Sequence, residues 1–440
     1  MALKINNERY ETKRFECWPI MKELRKKHFW HTWSVQSEGG QLILGMGLAN
    51  LPLLLGIGDI ANPSIGLHFT RLARTPNAEG LTHAVEEAEA WGLGRDVCGA
   101  MKAHVGQLLQ GLSTESPLGK KVQHDFAFDC VGCHAITKST QIAAEYIGVP
   151  LLMIDIPRKF NENSRKYLLA QWQDAIEWLE KKTGKEYDDE RLIEGLMNEM
   201  HCEAMWAKCV DLLKNIPAPA SMRDMYSLRL PLVQFRHIKE TVDYVNTLYD
   251  ELKDRVKNKI SAQGIERLRL THENLHPLYR ADLLRSPEEY GAIFITGNPL
   301  EAFGMWEYTE DGSRVPSRTP EEKGIQIRSR EDALNAIIDR MAIRVEDGEF
   351  STRDRYYKRA KEYNTDAVVI HYDRPCQQVM LNALESKLLL QEKGIPVGVY
   401  YSSQGDPRDF DEKRILGERG ELPTFYESLG LTKQADSASP

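Results

Sequence analysis

Hydrophobic and polar positions run in two rhythms along this chain. Short apolar runs bounded by turn residues occur towards both ends, and a long stretch of helical spacing separates them. Residues 16–33 have helical, aromatic-rich spacing, residues 42–47 form an apolar strand-like run, and a Gly/Pro turn region follows. Residues 82–91 and 98–112 return to helical spacing. HDFAFD (124–129) has the pattern of a strand, residues 135–147 that of a helix, and VPLLMIDIP (149–157) that of a strand buried in a parallel sheet. Strand, helix and strand of these lengths make a βαβ unit. From about 163 to 257 strand signals vanish, and Pro217 and Pro219 mark a break between helices. A second strand-bearing region opens near Arg267, includes YGAIFITG (290–297), and closes with DAVVIHYD (366–373), a helix over 377–393 and IPVGVYY (395–401). The pattern predicts an α/β protein with two Rossmann-like parallel-sheet domains and a helical middle region. The expected divisions are an N-terminal α/β domain (1–158), a helical region (159–262), a C-terminal α/β domain (263–431) and a disordered tail (432–440).

Size agrees with more than one core, since 440 residues exceed what a single core usually serves. Hydrophobic residues at 42% and charged residues at 28% have the balance of a soluble globular chain. The net charge is −8, with bases interleaved among acids, which argues against a phosphate-tracking surface and a nucleic-acid partner. The N-terminal MALKINNERYETKRFECW has no apolar signal core and no small-residue cleavage site. The most apolar stretch, 42–60, is broken by four glycines and Pro52 and reads as buried strand and turn rather than a membrane span. A cytoplasmic protein without a membrane partner is expected.

The candidate chemistry lies in seven cysteines: Cys17, Cys98, Cys130, Cys133, Cys202, Cys209 and Cys376. An odd number in an unsecreted chain does not make a disulfide framework, so each is a packing group, a ligand or a nucleophile. Cys133 follows the strand at 124–129 and opens the next helix. Cys376 does the same after 366–371, and Cys98 opens the helix running to 112. Helix N-termini offer free N–H groups and a positive dipole end, which stabilise thiolates and anionic clusters. Open α/β sheets build their ligand crevices beyond the carboxyl ends of strands. The competing reading is three unrelated small buried residues. CVGCH (130–134) also fits haem attachment, a redox dithiol or half a zinc site. The first lacks an export signal, the second leaves the long remainder unexplained, and the third lacks a second ligand pair. Cys202 and Cys209 share a helix face with methionine and tryptophan in MNEMHCEAMWAKC and read as core, as does Cys17. KKHFWHTW (26–33) reads as core packing or a subunit interface.

Three ordered motifs carry a resemblance. They are RDVCGAMKAHVGQLLQG (95–111), CHAITK (133–138) leading to EYIGVPLLMIDIP (145–157), and DAVVIHYDRPCQQ (366–378) leading to GIPVGVYYSSQGDPRDFDEKRILGERGELPTFYESL (394–429). Together they resemble the 2-hydroxyacyl-CoA dehydratase and benzoyl-CoA reductase superfamily, over roughly 95–429. The resemblance implies a [4Fe–4S] cluster on Cys98, Cys133 and Cys376, with one iron left open. An open iron can bind a thioester carbonyl as a Lewis acid, and an electron delivered there gives a ketyl radical anion. Cys130 departs from the pattern: it either completes the ligation as a fourth ligand or packs nearby, and the packed reading is preferred. GMGLANLPLLLGIG (45–58) also departs, being less polar than the family's usual motif, and it fails as a dinucleotide fingerprint.

Length and the DPRDF…FYESL tail look most similar to the larger cluster-bearing subunit of ATP-dependent benzoyl-CoA reductase. That implies single-electron reduction of an aromatic acyl-CoA, a smaller homologous iron–sulfur partner subunit, and a separate ATP-hydrolysing activase, since no Walker A sequence is present. Dehydration of a 2-hydroxyacyl-CoA is the alternative within the superfamily; an electron-relay protein or a zinc-stabilised binding module are alternatives outside it. Candidate proton donors are His134, His371 and Tyr372, with Asp373 beside them at the same strand end, although hydrogen bonding to cluster sulfurs or backbone is the simpler role. Lys138 and Arg374 are candidates to offset cluster charge or meet a CoA phosphate.

Overall fold

The computed structural model describes residues 3–45, 51–62, 75–112, 121–310, 313–346 and 353–434. Among these, twelve strands follow in chain order, eight of them in two four-stranded parallel sheets. The first sheet has β2 (Gln41–Leu44), β3 (Ile60–Ala61), β4 (Phe126–Cys130) and β5 (Leu151–Ile154) in the order β3-β2-β4-β5. The second has β7 (Arg269–Glu273), β8 (Ile293–Thr296), β11 (Ala367–Asp373) and β12 (Val397–Ser402) in the order β12-β11-β7-β8. Short pairs complete the set: β1 (Glu11–Thr12) beside β6 (Ile260–Ser261), and β9 (Trp306–Tyr308) against β10 (Arg314–Pro316). This is the α/β architecture expected, with helices Glu162–Thr183, Asp189–Asp211, Met222–Leu228 and Lys239–Lys257 filling the middle.

The central strands β4 and β11 are buried along their whole length, which is why their sequences read as continuous apolar runs rather than alternating ones. The helix Asp189–Asp211 joins two cores. Its first half (Leu192, Leu196) packs with Ile43, Phe126, Phe128 and Ile154 of the first sheet. Its second half (Cys202, Trp206, Cys209) packs with Leu270, Ile293 and Val369 of the second. Helix Arg330–Glu346, far along the chain, sends Ala333, Leu334 and Ile337 into the first sheet's core.

Three local expectations are corrected. Residues 51–55 form a short helix instead of strand and turn; Pro52 stands in its first turn, where the missing N–H has no intrahelical partner to lose. Residues 46–50 of the same motif lie outside the described residues. The helix expected over 377–393 is two pieces, Gln377–Met380 and Ala383–Glu392, because Leu381 and Asn382 turn the chain between them. In the expected tail, the Gln434 N–H donates to the Glu289 carbonyl at 2.8 Å and Lys433 pairs with Glu289, so 432–434 are held; 435–440 lie outside the described residues.

Candidate metal centre

Each of the three cysteines caps a helix. Cys98 precedes Gly99–Leu109, Cys133 precedes His134–Ile147 and Cys376 precedes Gln377–Met380. The local reasons differ. After β4 the chain needs Val131 and Gly132 to turn, and the Cys133 side chain then takes the place of a polar cap, its Sγ accepting the Ile136 N–H at 3.5 Å. After β11 the turn closes when the Cys376 N–H donates to the Asp373 carbonyl at 2.9 Å. Cys98 is set by packing. A Cβ on Gly99 would lie 2.6 Å from Ser403 Oγ and 2.8 Å from the Asp406 nitrogen, so only glycine lets this helix start abut the loop after β12.

That loop, 403–406, fastens the first sheet's side of the molecule to the second. Lys102, one turn after Cys98 and buried, donates to Glu89 at 2.6 Å, to the Arg95 carbonyl at 2.8 Å and to Asp406 at 3.3 Å. Arg408 holds the same two carboxylates, reaching Glu89 at 2.6 Å and Asp406 at 2.7 Å. The charged groups thus satisfy one another, as buried charges must.

The three thiols come together. Burial pushes the Cys98 thiol up to about 11, with the Asp373 carboxylate adding to it and the Met101 and Ala100 N–H groups opposing, and Cys133 is close enough to raise it further. Burial likewise pushes Cys376 up to about 12; Asp373, Cys98 and Cys133 add to the rise and the Val379 N–H opposes it. So three sulfurs and one carboxylate crowd one another with like charge. Asp373 is pushed up to about 7, mainly by burial; the Gln404 N–H pulls it down and Asp409 pushes it up. Without a cation in their midst Cys98, Cys376 and Asp373 favour their neutral forms more than ordinary thiols and carboxyls do; a positively charged inorganic core would invert that preference.

Among the described residues no three His, Cys, Asp or Glu side chains stand close enough to hold a single metal ion. A cubane makes a different demand: each thiolate bonds a different iron, so the sulfurs spread around the cluster instead of meeting at a point. Three half-buried or buried thiols at three helix starts, with N–H groups directed at them, fit that donor set.

Other candidates fall elsewhere. Cys130 ends β4, is 5% exposed and packs with Phe126 and Phe128 in the first sheet's core. His134 and Lys138 are exposed on the Cys133 helix, and Lys138 donates to Gln141. Arg374 is exposed, its backbone N–H bonded to the Ser402 carbonyl at 3.2 Å. His371 is fully buried with both ring nitrogens engaged, by the Leu275 carbonyl and by Ser402 Oγ (2.7 Å); burial drops its pKa to about 4. Tyr372 packs on the opposite face of β11 with Val368 and Ile370, edge-on to Tyr401, and burial pushes its hydroxyl up. The residues that meet the thiols are Asp373, which the sequence placed beside Cys376 at the strand end, and Gln404, which it did not single out. Their signal was position: Asp373 ends one strand and Gln404 follows the neighbouring one, both at the carboxyl edge of the sheet. A cavity of about 490 Å³ lined by His28, Arg191, Phe235 and His237 includes no cysteine.

Two four-stranded parallel sheets, with cysteines from three widely separated helix starts near one another, define an α/β protein. The family described as 2-hydroxyglutaryl-CoA dehydratase, D-component, matches residues 75–415, and the chain belongs to that family. The (R)-phenyllactyl-CoA dehydratase alpha subunit of Clostridium sporogenes is 28% identical over 359 residues, 78% of this chain and 80% of the relative. The alpha chain of (R)-2-hydroxyglutaryl-CoA dehydratase from Acidaminococcus fermentans is 26% identical over 310 residues, covering 67% and 59%. A benzoyl-CoA reductase subunit of Thauera aromatica is 26% identical over 192 residues, covering 41% and 44%. Similarity to dehydratase subunits is therefore broader than similarity to the reductase. The dehydratase alternative fits at least as well as the reductase expectation. Among the described residues no helix is long and apolar enough to cross a membrane.

Proposed function

We propose that this chain is an alpha-type subunit of a 2-hydroxyacyl-CoA dehydratase, holding a [4Fe–4S] cluster through Cys98, Cys133 and Cys376. The observation that supports it is the convergence of these three thiols, each at a helix start, beside a buried carboxylate. When bound, such a cluster supplies one-electron chemistry and an open iron able to polarise a thioester carbonyl. The chain's own residues do the rest. The Lys102–Glu89–Asp406–Arg408 network holds the Cys98 helix against the loop carrying Gln404. The N–H groups of Ala100, Met101, Ile136 and Val379 face sulfur and offset its charge. Asp373, uncharged more readily than an ordinary carboxyl, is placed to hold a proton near the centre. His371 braces β11 against β12 and is not available as a proton donor while both its nitrogens are bonded.

Since its relatives are named as subunits of dehydratases and of a reductase, we take this chain to work with a paired smaller homologous subunit. An ATP-hydrolysing activase would supply the electrons. The similarity to the Thauera aromatica benzoyl-CoA reductase chain keeps aromatic acyl-CoA reduction as a second reading.

Anaerobic purification tests the proposal. A brown protein with about four irons per chain, bleaching in air, is expected; a colourless or zinc-bearing chain would sink it. With paired subunit, activase, ATP and reductant, conversion of a 2-hydroxyacyl-CoA to the enoyl-CoA separates dehydratase from reductase, which would consume benzoyl-CoA instead.

A further inference from the structure

Building on the cluster reading above, we propose that Gln404 is a positioning residue that sets the reduction potential of the centre through the sulfur of Cys98. Its side-chain amide Nε2 donates to Cys98 Sγ at 3.3 Å, across 306 residues of sequence. Among the described residues, no other side chain donates to the sulfur of Cys98, Cys133 or Cys376; Cys133 receives only the longer backbone contact from Ile136.

The surroundings of Gln404 make this contact durable. The residue is 7% exposed. Its backbone N–H donates to Asp373 Oδ1 at 3.2 Å, and its carbonyl accepts the Leu278 N–H at 2.9 Å. On either side, the Tyr279 hydroxyl bonds the Ser403 carbonyl (3.2 Å) and the Asp406 carbonyl (3.1 Å). Gly405 faces the backbone of Gly99 and Ala100 so closely that a Cβ there would overlap the Ala100 nitrogen. The chain is therefore fixed before and after Gln404, and a buried side chain with few free rotamers loses little entropy in holding one geometry.

The chemistry follows from charge. Reduction adds an electron to a centre whose sulfurs already carry negative charge. A neutral N–H donor on sulfur stabilises the more negative, reduced state more than the oxidised one and so raises the potential. A nearby carboxylate acts in the opposite sense. Gln404 touches both, its side chain on Cys98 and its backbone N–H on Asp373, so one residue moderates the two local influences on that ligand.

The test is an EPR-monitored redox titration of the anaerobically purified full chain against Gln404→Met, which keeps length and volume but removes the donor, and Gln404→Leu, a second apolar replacement. Both variants are expected to titrate at a lower midpoint than the parent, with iron content and circular dichroism unchanged. An unshifted midpoint in an iron-replete variant overturns the role of Gln404 while leaving the cluster reading intact. A parent chain that binds no iron overturns both.

Discussion

Cys17 and Cys98 both stand immediately before a helix, yet their surroundings have little in common. The helix after Cys17, Trp18–Ser34, has Pro19 in its first turn, so one N–H is missing there. The Cys17 N–H donates to Glu251 Oε2 at 2.9 Å, and the thiol sits with Met21 and Cys209 in the helical core. Burial first, and then Glu251, push the Cys17 thiol far up, leaving a packed, neutral group. Cys98 is also buried, but the Ala100 and Met101 N–H groups of its helix turn to the sulfur, and two further thiols and a side-chain amide arrive from other segments. A helix start is thus an opportunity for a ligand. Convergence, and donors not already spent on a carboxylate, are what make a centre.

The widest gap between the two regions should appear on removing sulfur. Cys376→Ser is expected to abolish iron binding while the apo-fold persists. Cys202→Ser, in the helical core, should keep its iron and lose about 1–3 kcal/mol of stability by burying a hydroxyl. Iron analysis and thermal unfolding read both, and an iron-replete Cys376→Ser breaks the comparison. Next in size is Lys102→Met. Removing the cation between Glu89 and Asp406 strands two carboxylates and should cost about 3–5 kcal/mol. Denaturant melts of the apo-chain would expose a smaller figure, which would mean Arg408 alone satisfies the pair.

Glycine substitutions sharpen the contrast at lower cost. Gly99→Ala meets Ser403 and Asp406 and should lose about 1–3 kcal/mol, together with iron, whereas Gly132→Ala, with nothing within 4 Å of its Cβ, should stay within about 0.5 kcal/mol of the parent. Equal losses would mean that the close approach of the Cys98 helix to the 403–406 loop is unimportant. The last contrast is electrostatic, and it is read as a slope with pH rather than as a single loss. Asp373 is raised to about 7 when folded, so the folded chain keeps a proton that the unfolded chain releases at about 3.9. Its contribution is present at low pH and fades as pH rises from about 4 to about 7, by at most roughly 1.4 kcal/mol per pH unit. Asp373→Asn should flatten that part of the apo-chain's stability curve; an unchanged slope would assign the dependence to other groups.

The linear sequence determined most of the secondary structure, because buried parallel strands and amphipathic helices impose apolar periods that survive without neighbours. It also pointed to the three cysteines, since each lies at a strand-to-helix junction or a helix start that local pattern reveals. It leaned to a packed Cys130 beside a ligating Cys133, three residues on, without showing what Cys130 packs against. The alternation of β4, which turns Cys130 into the core with Phe126 and Phe128, supplies that partner set. Nor could the sequence show that the helix at 377–393 breaks, that 330–346 packs on the first sheet, or that Gln404 meets Cys98. Those facts depend on contacts between segments tens to hundreds of residues apart. Local periodicity carries no record of such pairings, and burial, close approach and shared charge exist only once the segments are side by side.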